Sequence, residues 1–359
     1  MEKVAHTLSK NFLGITRTYA DDILIPNLSE ISKTNSPTEI TLNLAGKNMR
    51  FVFYSKTLAK RMLPAFEHLE QTDSTPDLTI NIWDSNESGV DLIQPYHKKE
   101  HMCEISNGAQ VAIERGFYGV YFSGEESIQI YDEENKIAYF WTHNADEIPG
   151  WVIGAPLRAI LHWYLSSVGI HLVHGAVVGM GDDAVLLTAK SGSGKSTTAL
   201  ACMLGGMSYV GDDYVALSVD EKITAYSIYN SAKCTNNTLN ALPTLRSCAN
   251  EIPSVDERKS VIYISKSFPK SVSRKMNIKS IFVPSLTGDT KTRLEPVSKV
   301  KTLLAMVPTT IFQLPYTGTD LILKLRQMVE IVPCHSLLLG NEIPMTPVVI
   351  KSYLEKESI

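Results

Sequence analysis

One segment, AVLLTAKSGSGKSTTALACMLGG from Ala184 to Gly206, constrains the fold of this chain more than any other. The apolar residues at 185–187 predict a short strand, and a turn rich in glycine and serine follows them. Residues 196–204 then predict a helix that ends at a glycine pair. A strand, a glycine-rich loop and a helix in this order are the context that a phosphate-binding loop requires.

The residue types in the loop fit nucleotide binding. Gly192 and Gly194 allow the backbone to turn so that its N–H groups converge on phosphate oxygens, and the helix N-terminus adds a partial positive charge. Lys195 is long enough to reach the β- and γ-phosphates, and a serine hydroxyl at 196 suits Mg²⁺. The sequence therefore predicts ATP and Mg²⁺ as cofactors, with a nucleotide site formed by Ser191, Gly192, Ser193, Gly194, Lys195, Ser196 and Thr197.

One position departs from the usual GxxxxGK[ST] pattern, because Ala189 stands where the first glycine is expected. Alanine is the smallest alternative, so the departure is tolerable. The other interpretation is a glycine-serine loop that joins a strand and a helix without binding anything. The flanking strand and helix favour the phosphate-binding interpretation.

The segments on either side of the loop predict an unusual sheet. Upstream, two apolar runs flank a turn over 179–183, which predicts an antiparallel hairpin leading into the loop. Most phosphate-loop folds have a parallel sheet at this point. Downstream, MSYVGDDYVALSV predicts a strand that ends at Asp212 and Asp213.

The spacing of these features resembles the HPr kinase/phosphorylase family. His174 lies 21 residues before Lys195, and Asp212 lies 17 residues after it. That family combines a His-Gly before a hairpin, a phosphate loop ending in GKS and a strand ending in Asp-Asp, and its core is related to that of the ATP-dependent phosphoenolpyruvate carboxykinases. The resemblance covers about residues 171–218. Two departures are Thr197, where the family usually has Glu, and the lack of its glycine-rich signature loop.

A looser resemblance extends into the C-terminal half. The segments YSIYNSAK, DERKSVIYIS, LAMVPTTIFQLP and VPCHSLLLG are similar to a broader HPr-kinase-like group. Some members of that group resemble kinases that phosphorylate the C-terminal serine of lasso-peptide precursors. The resemblance also implies assembly through C-terminal helices, so a homo-oligomer is one expectation. We predict such helices over about 320–328 and from 346 to 354 or beyond.

The resemblance implies roles for three catalytic residues, Lys195, Asp212 and His174. Asp212 would be the base for the acceptor hydroxyl, and Asp213 would be a metal ligand, with Ser196, or a supporting group. The exchange of the two aspartate roles stays open, as does a solvated turn, because Gly-Asp-Asp is ordinary turn sequence. His174 would lie near the γ-phosphate or the aspartates, although a histidine in an apolar strand is often only a hydrogen-bonded core residue.

Other polar residues are weaker candidates. Lys233, Arg258 and Lys259 could offset the charge that builds up in a phosphoryl transition state, although lysines and arginines are common on surfaces. Cys334 and His335 are adjacent, which disfavours a catalytic pair and favours a core strand. His171 and His174 are predicted on one strand, where their side chains would diverge, so a histidine metal site is not expected.

Length and composition limit the remaining possibilities. A chain of 359 residues is long enough for two domains. We predict an N-terminal strand-rich α/β domain over residues 1–150, which could dock a substrate, and an α/β catalytic domain over 151–359. The second would have the mixed-sheet P-loop core of the HPr kinase/phosphoenolpyruvate carboxykinase type. Within the first, TEITLNLAG and MRFVFYS predict a hairpin, and Ser55 is a candidate N-cap for the helix that follows.

Charge and cysteine content exclude other classes. The net charge of −4, from 34 basic and 38 acidic residues, gives no sign of a nucleic-acid-binding protein. The five cysteines are scattered without a CxxC pair, which disfavours a disulfide framework or a zinc site and suits the cytoplasm. The N-terminal MEKVAHTLSKNFLG lacks the apolar run of a signal peptide, and Arg158 interrupts the most apolar stretch, so no membrane contact is expected.

The sequence therefore predicts an ATP-dependent kinase that transfers the γ-phosphoryl group to a serine or threonine hydroxyl. The favoured acceptor is a peptide or small protein, such as the terminal residue of a ribosomally made peptide. Two alternatives remain at this point. The chain could phosphorylate a small metabolite in a closed pocket, or it could be a nucleotide-gated regulatory module with little turnover.

Overall fold

The computed structural model describes residues 15–92, 103–105, 109–249 and 259–357, and shows a mixed α/β protein with large mixed sheets. The chain forms two compact units. The first comprises Met1–Met62, Gln71–Ile148 and Leu157–Ser167, and the second comprises Leu63–Glu70, Pro149–Pro156 and Val168–Ile359. Among the described residues, no helix combines the length and apolar character needed to cross a membrane.

The first unit is built on a mixed sheet. Eight of its strands run in the order β1–β2–β3–β8–β7–β6–β5–β4. The predicted hairpin is confirmed as β1–β2, and Ala45 and Gly46 both have positive φ, as a tight hairpin turn requires. The strands are β1 Thr38–Leu44, β2 Lys47–Phe53, β3 Leu78–Asp84, β4 Cys103–Ile105, β5 Ala109–Glu114, β6 Phe117–Phe122, β7 Ser127–Asp132 and β8 Ile137–Thr142.

Three helices of at least seven residues accompany this sheet: α1 Ile25–Thr34, α2 Lys56–Met62 and α3 Arg158–Ser167. The Ser55 hydroxyl accepts a hydrogen bond from Leu58 N, which confirms the predicted N-cap of α2. Helix α3 follows residue 150 in the chain but groups with the first unit. The reason is its packing: Ala159 N donates to Gln129 Oε1 on β7, and Trp163 stacks on Tyr118.

The second unit contains the mixed sheet that carries the phosphate loop. Its main strand order is β9–β13–β14–β17–β11–β10–β12, with β19 added beside β17 and β18 beside β19. The strands are β9 Ile170–His174, β10 Ala176–Met180, β11 Asp183–Leu187, β12 Ser208–Gly211, β13 Tyr214–Val219, β14 Ile223–Tyr226, β15 Ser231–Thr235, β16 Lys259–Tyr263, β17 Lys275–Leu286, β18 Arg293–Pro296 and β19 Cys334–Leu339. The last confirms the predicted core strand at Cys334.

Helices cover both faces of this sheet. Side chains alternate between the two faces along each strand, so consecutive residues of β11 pack against different helices. On β11, Val185 and Leu187 pack in the cluster that includes α4 and α8, whereas Ala184 and Leu186 pack with α6 and α7. The α-helices of at least six residues are α4 Lys195–Leu204, α5 Asn236–Ala241, α6 Lys299–Ile311, α7 Gly318–Ile331 and α8 Met345–Glu357. Helices α7 and α8 confirm the two predicted C-terminal helices; α6, which contains Pro308, was not predicted.

The order of strands around β11 positions the site. The predicted antiparallel hairpin is confirmed as β10–β11, and β12 pairs antiparallel with β10 on its far side. On the opposite side of β11, β17 and then β19 run parallel to it. Strands β11, β12, β17 and β19 therefore end at the same edge of the sheet, which is the edge where ligands bind in many α/β proteins.

Candidate active site

The segment between β11 and α4 has the backbone of a phosphate-binding loop. Gly192 and Gly194 have φ values of +80° and +97°, which glycine adopts without strain. The first helical bond of α4 runs from Thr198 N to Gly194 O at 2.8 Å, so the preceding amides stand at a helix N-terminus. Ala189 does not have a positive φ, which explains why alanine is tolerated there.

Lys195 lies at the centre of the site. Its side chain is buried, and Nζ donates to Ala189 O at 2.5 Å and to Lys190 O at 3.3 Å. Burial lowers the pKa of Lys195, while the charges of Asp212 and Asp213 act in the opposite direction. The structure thus brings the loop lysine within electrostatic reach of both aspartates that the sequence singled out.

Asp212 and Asp213 lie in a tight turn between β12 and β13. Tyr214 N donates to Asp212 O at 2.9 Å, and Asp213 has a φ of +70°, which together define a γ-turn of the strained, positive-φ kind. The sequence pattern predicted that both residues lie at the end of a strand. The turn instead buries Asp212 and leaves the Asp213 side chain 25% exposed. Backbone strain of this kind is concentrated at functional sites.

Two cationic or hydrogen-bonding side chains hold the Asp213 carboxylate. Lys233 Nζ, from β15, lies 2.5 Å from Oδ2, and His174 Nε2, from β9, lies 3.4 Å from Oδ1. Burial alone would raise the pKa of Asp213, but Lys233 and His174 hold it well below its ordinary value. Asp213 is therefore a carboxylate that stays ionised at neutral pH.

Asp212 has the opposite environment. Within the described part of the chain, neither of its buried carboxylate oxygens has a partner in hydrogen-bond geometry. Burial and the charge of Asp213 raise the pKa of Asp212, while the nearby Ser196 hydroxyl, the backbone N–H of Asp213 and the charge of Lys195 lower it. An orphaned buried carboxylate beside a serine hydroxyl is a donor set that suits a hard cation such as Mg²⁺.

His174 belongs to a hydrogen-bond network that the sequence did not predict. Gln313 Nε2 is 3.4 Å from His174 Nδ1, and Gln313 Oε1 accepts a hydrogen bond from the Tyr214 hydroxyl at 2.7 Å. Thr310 Oγ1, in the last turn of α6, accepts from His174 N at 3.2 Å. The Ser298 N-cap could have revealed α6, but no local pattern connects Gln313 with a histidine 139 residues away.

The other predicted nucleotide ligands surround these groups. Ser191 and Gly192 are exposed, Ser193 is buried, and Ser196 and Thr197 are partly buried. Thr197 Oγ1 lies 2.9 Å from Thr238 Oγ1 of α5, so Thr197 has a structural contact with that helix.

Two of the three candidate cations can be placed. Lys233 pairs with Asp213, and the exposed Lys259 is close enough for its charge to lower the pKa of Lys195. Arg258 lies outside the described residues.

The described residues contain no group of three or more His, Cys, Asp or Glu arranged for a metal ion. A phosphate-loop Mg²⁺ site needs no such group, since phosphates and water supply most of its ligands.

Comparisons with known proteins add little to this geometry. No family model matches the chain, and no curated protein matches it. Among solved structures, the chain is similar to the Hpr(Ser) kinase/phosphatase from Coxiella burnetii, with 13% sequence identity and a TM-score of 0.29 over 53% of this chain and 99% of that chain. A TM-score of this size does not establish a shared fold, so a functional assignment depends on the residues of the site.

Proposed function

We propose that this chain is an ATP-dependent kinase that phosphorylates a serine or threonine hydroxyl on a peptide or small protein. The observation that carries the proposal is that the loop lysine, Lys195, lies within electrostatic reach of the Asp212–Asp213 turn. A phosphate-binding loop alone would also serve a nucleotide-gated switch. A kinase additionally needs a carboxylate that orients the acceptor hydroxyl and a donor set for Mg²⁺, and this turn offers both.

The contacts of the two aspartates favour the exchange of roles that the sequence left open. Ser196 and Asp212 would hold Mg²⁺; both carboxylate oxygens of Asp212 are buried without a partner in strict hydrogen-bond geometry among the described residues. When bound, the ion would offset charge on the phosphates. Asp213, whose oxygens already face Lys233 and His174, would orient the acceptor hydroxyl.

The bonds and the proton of the proposed transfer can all be accounted for with these residues. The acceptor oxygen forms a bond to the γ-phosphorus, the bond from that phosphorus to the β–γ bridging oxygen breaks, and ADP leaves. The hydroxyl proton passes to Asp213. A carboxylate with a low pKa suffices because the transition state is loose and positioning contributes most of the rate enhancement. Lys195 offsets the charge that develops on the bridging oxygen.

The exposure of Asp213 is compatible with an acceptor carried on a larger molecule. The Asp213 side chain is 25% exposed, so a hydroxyl can approach it from solvent. The resemblance to kinases of peptide precursors points to the same substrate class. Cytoplasmic location and assembly through C-terminal helices stay predictions, as does a docking role for the N-terminal domain.

The proposal is tested by incubating the protein with γ-labelled ATP, Mg²⁺, a library of serine- and threonine-containing peptides and an extract of the native host. Mass spectrometry then locates the label. We expect phosphoserine or phosphothreonine on a peptide or protein, absent with Lys195→Ala. Label found only on small metabolites, or only as free phosphate, would contradict the proposal.

A further inference from the structure

An exposed leucine stands beside the phosphate loop. Leu286, the last residue of β17, is 70% exposed. A Cβ atom added to Gly194 would lie 3.7 Å from Leu286 Cδ2 and 2.7 Å from Leu339 Cδ1, at the end of β19. Both leucines therefore lie against the loop, but only Leu286 presents an apolar side chain to solvent, because Leu339 is buried. Single exposed leucines are common on proteins, so it is the place of this one that matters.

The strand order fixes the direction of a bound polyphosphate. β11, which feeds the loop, is paired with β10 on one side, and β12 beyond it leads to Asp212 and Asp213. On its other side it is paired with β17, which ends at Leu286. The γ-phosphate must face the aspartates for transfer to occur. The α-phosphate and the nucleoside then extend towards the opposite side, over the ends of β17 and β19.

We propose that Leu286, supported from below by the buried Leu339, forms the nucleoside-binding surface, with the flat face of the purine base packed on Leu286. The inference rests on the proposed function, because it assumes a nucleoside triphosphate in the loop. Nucleotide sites are largely apolar around the base, and packing a base on an exposed leucine removes apolar area of both from water.

The ends of β17 and β19 are held in place before any ligand binds. Thr287 Oγ1 donates to Leu339 O at 3.1 Å, and Asn341 Nδ2 donates to Gly288 O at 3.2 Å. These bonds connect the residues that follow β17 with the end of β19, so the two leucines stay side by side. A preformed surface loses little conformational entropy when the base binds.

The test compares Leu286→Ser with the unmodified protein by calorimetry, using MgATP and Mg²⁺ with inorganic tripolyphosphate as separate probes. We expect the affinity for MgATP to fall about tenfold and that for tripolyphosphate to change less than about twofold, because only ATP carries a base. The matched control is Leu323→Ser, a leucine on α7 that is 59% exposed, which should leave both affinities unchanged. A Leu286→Trp variant adds a second readout, since ATP but not tripolyphosphate should quench its fluorescence.

Three outcomes count against the inference, and they can be told apart. If Leu286→Ser leaves the affinity for MgATP unchanged while the unmodified protein binds both probes, the nucleoside lies elsewhere and the proposed function stands. If the substitution weakens both probes equally, Leu286 supports the loop and does not contact the base. If the unmodified protein binds neither probe, the proposed function itself fails.

Discussion

Lys233 and Asp213 form an ion pair, 2.5 Å between Nζ and Oδ2, that ties strand β15 to the strained turn after β12. His174 faces the other oxygen of the same carboxylate. Both partners are largely buried, so the charge of Lys233 is weakly screened by solvent. The pair keeps Asp213 ionised and fixes its direction, and both properties are needed in a group that orients a hydroxyl.

Replacing Lys233 with methionine should shift the acidic limb of the pH–rate profile to higher pH. Without the ammonium group, burial raises the pKa of Asp213, so the carboxylate becomes protonated at a pH where it is now ionised. Activity that needs the ionised form is then lost earlier as pH falls. The measurement is the rate of labelled phosphoryl transfer as a function of pH.

The control is Lys279→Met, which removes a lysine 3.5 Å from Asp183 at the opposite end of β11. This variant should keep the pH profile of the unmodified protein. An acidic limb that stays in place with Lys233→Met would show that Asp213 is not the group that titrates.

Replacing Asp212 with asparagine should stabilise the fold and weaken metal-dependent nucleotide binding. The carboxylate is buried without a hydrogen-bond partner among the described residues, so ionising it costs free energy in the folded state. We expect a gain of about 1 kcal/mol in the free energy of unfolding near pH 8. Because the folded-state pKa is raised, the gain should shrink as pH falls and the native carboxyl becomes protonated.

Denaturant unfolding at several pH values measures the first effect, and titration of ATP affinity against Mg²⁺ measures the second. A destabilised Asp212→Asn protein would mean that the carboxylate has partners in solution. An unchanged Mg²⁺ requirement would instead exclude Asp212 as a metal ligand.

Gly194→Ala should reduce nucleotide affinity at least tenfold, because the added methyl group meets two obstacles. The φ of +97° is strained for alanine, and the new Cβ would lie 2.7 Å from Leu339 Cδ1. The loop must shift, and its amides then miss the phosphates. Gly169→Ala is the matched control: its φ is +80° but nothing lies within 4 Å. That variant should lose about 1 kcal/mol of stability and bind ATP normally. Calorimetry with MgATP distinguishes the two.

The parts of this site that the sequence could predict are the local ones. The loop and the β10–β11 hairpin follow from glycine spacing and apolar runs within about thirty residues. The pairing of Lys233 with Asp213 spans two strands, and nothing local distinguishes this lysine from surface lysines. The γ-turn was missed because Gly-Asp-Asp is compatible with several turns, and nothing local in the sequence indicates the positive φ of Asp213.

Long-range packing explains the remaining differences between the predicted and the observed structure. Helix α3 groups with the first unit although it follows the predicted boundary at residue 150, because its buried side chains pack against the sheet of that unit. Helix α6 was not predicted because Pro308 and the β-branched residues near it are unfavourable in isolated helices. Packing of Met306 in the core offsets that preference.

A buried histidine far from the catalytic groups should make stability depend on pH. His68 Nε2 lies 2.7 Å from Ser227 Oγ, and burial lowers the pKa of His68 to about 4, with a further contribution from Arg274. The unfolded chain binds a proton near pH 6.5 that the folded chain does not. Stability should therefore be full above that pH and fall by up to about 3 kcal/mol as pH drops to 4.

His68→Gln should flatten this part of the curve of unfolding free energy against pH. Some slope should remain, because burial also lowers the pKa of His171. His143→Gln, at an exposed histidine, is the control and should leave the curve unchanged. Equal slopes in the two variants would show that His68 is protonated in the folded protein.

In the proposed reaction, Asp213 acts on the acceptor while Lys195 and the loop hold the nucleotide. The most direct test is the rate of labelled phosphoryl transfer by Asp213→Asn alongside its affinity for MgATP. Asparagine tolerates the positive φ at this position, so the turn should persist. We predict that transfer falls about a thousandfold while the affinity for MgATP stays within threefold. Transfer within tenfold of the unmodified rate would contradict the account.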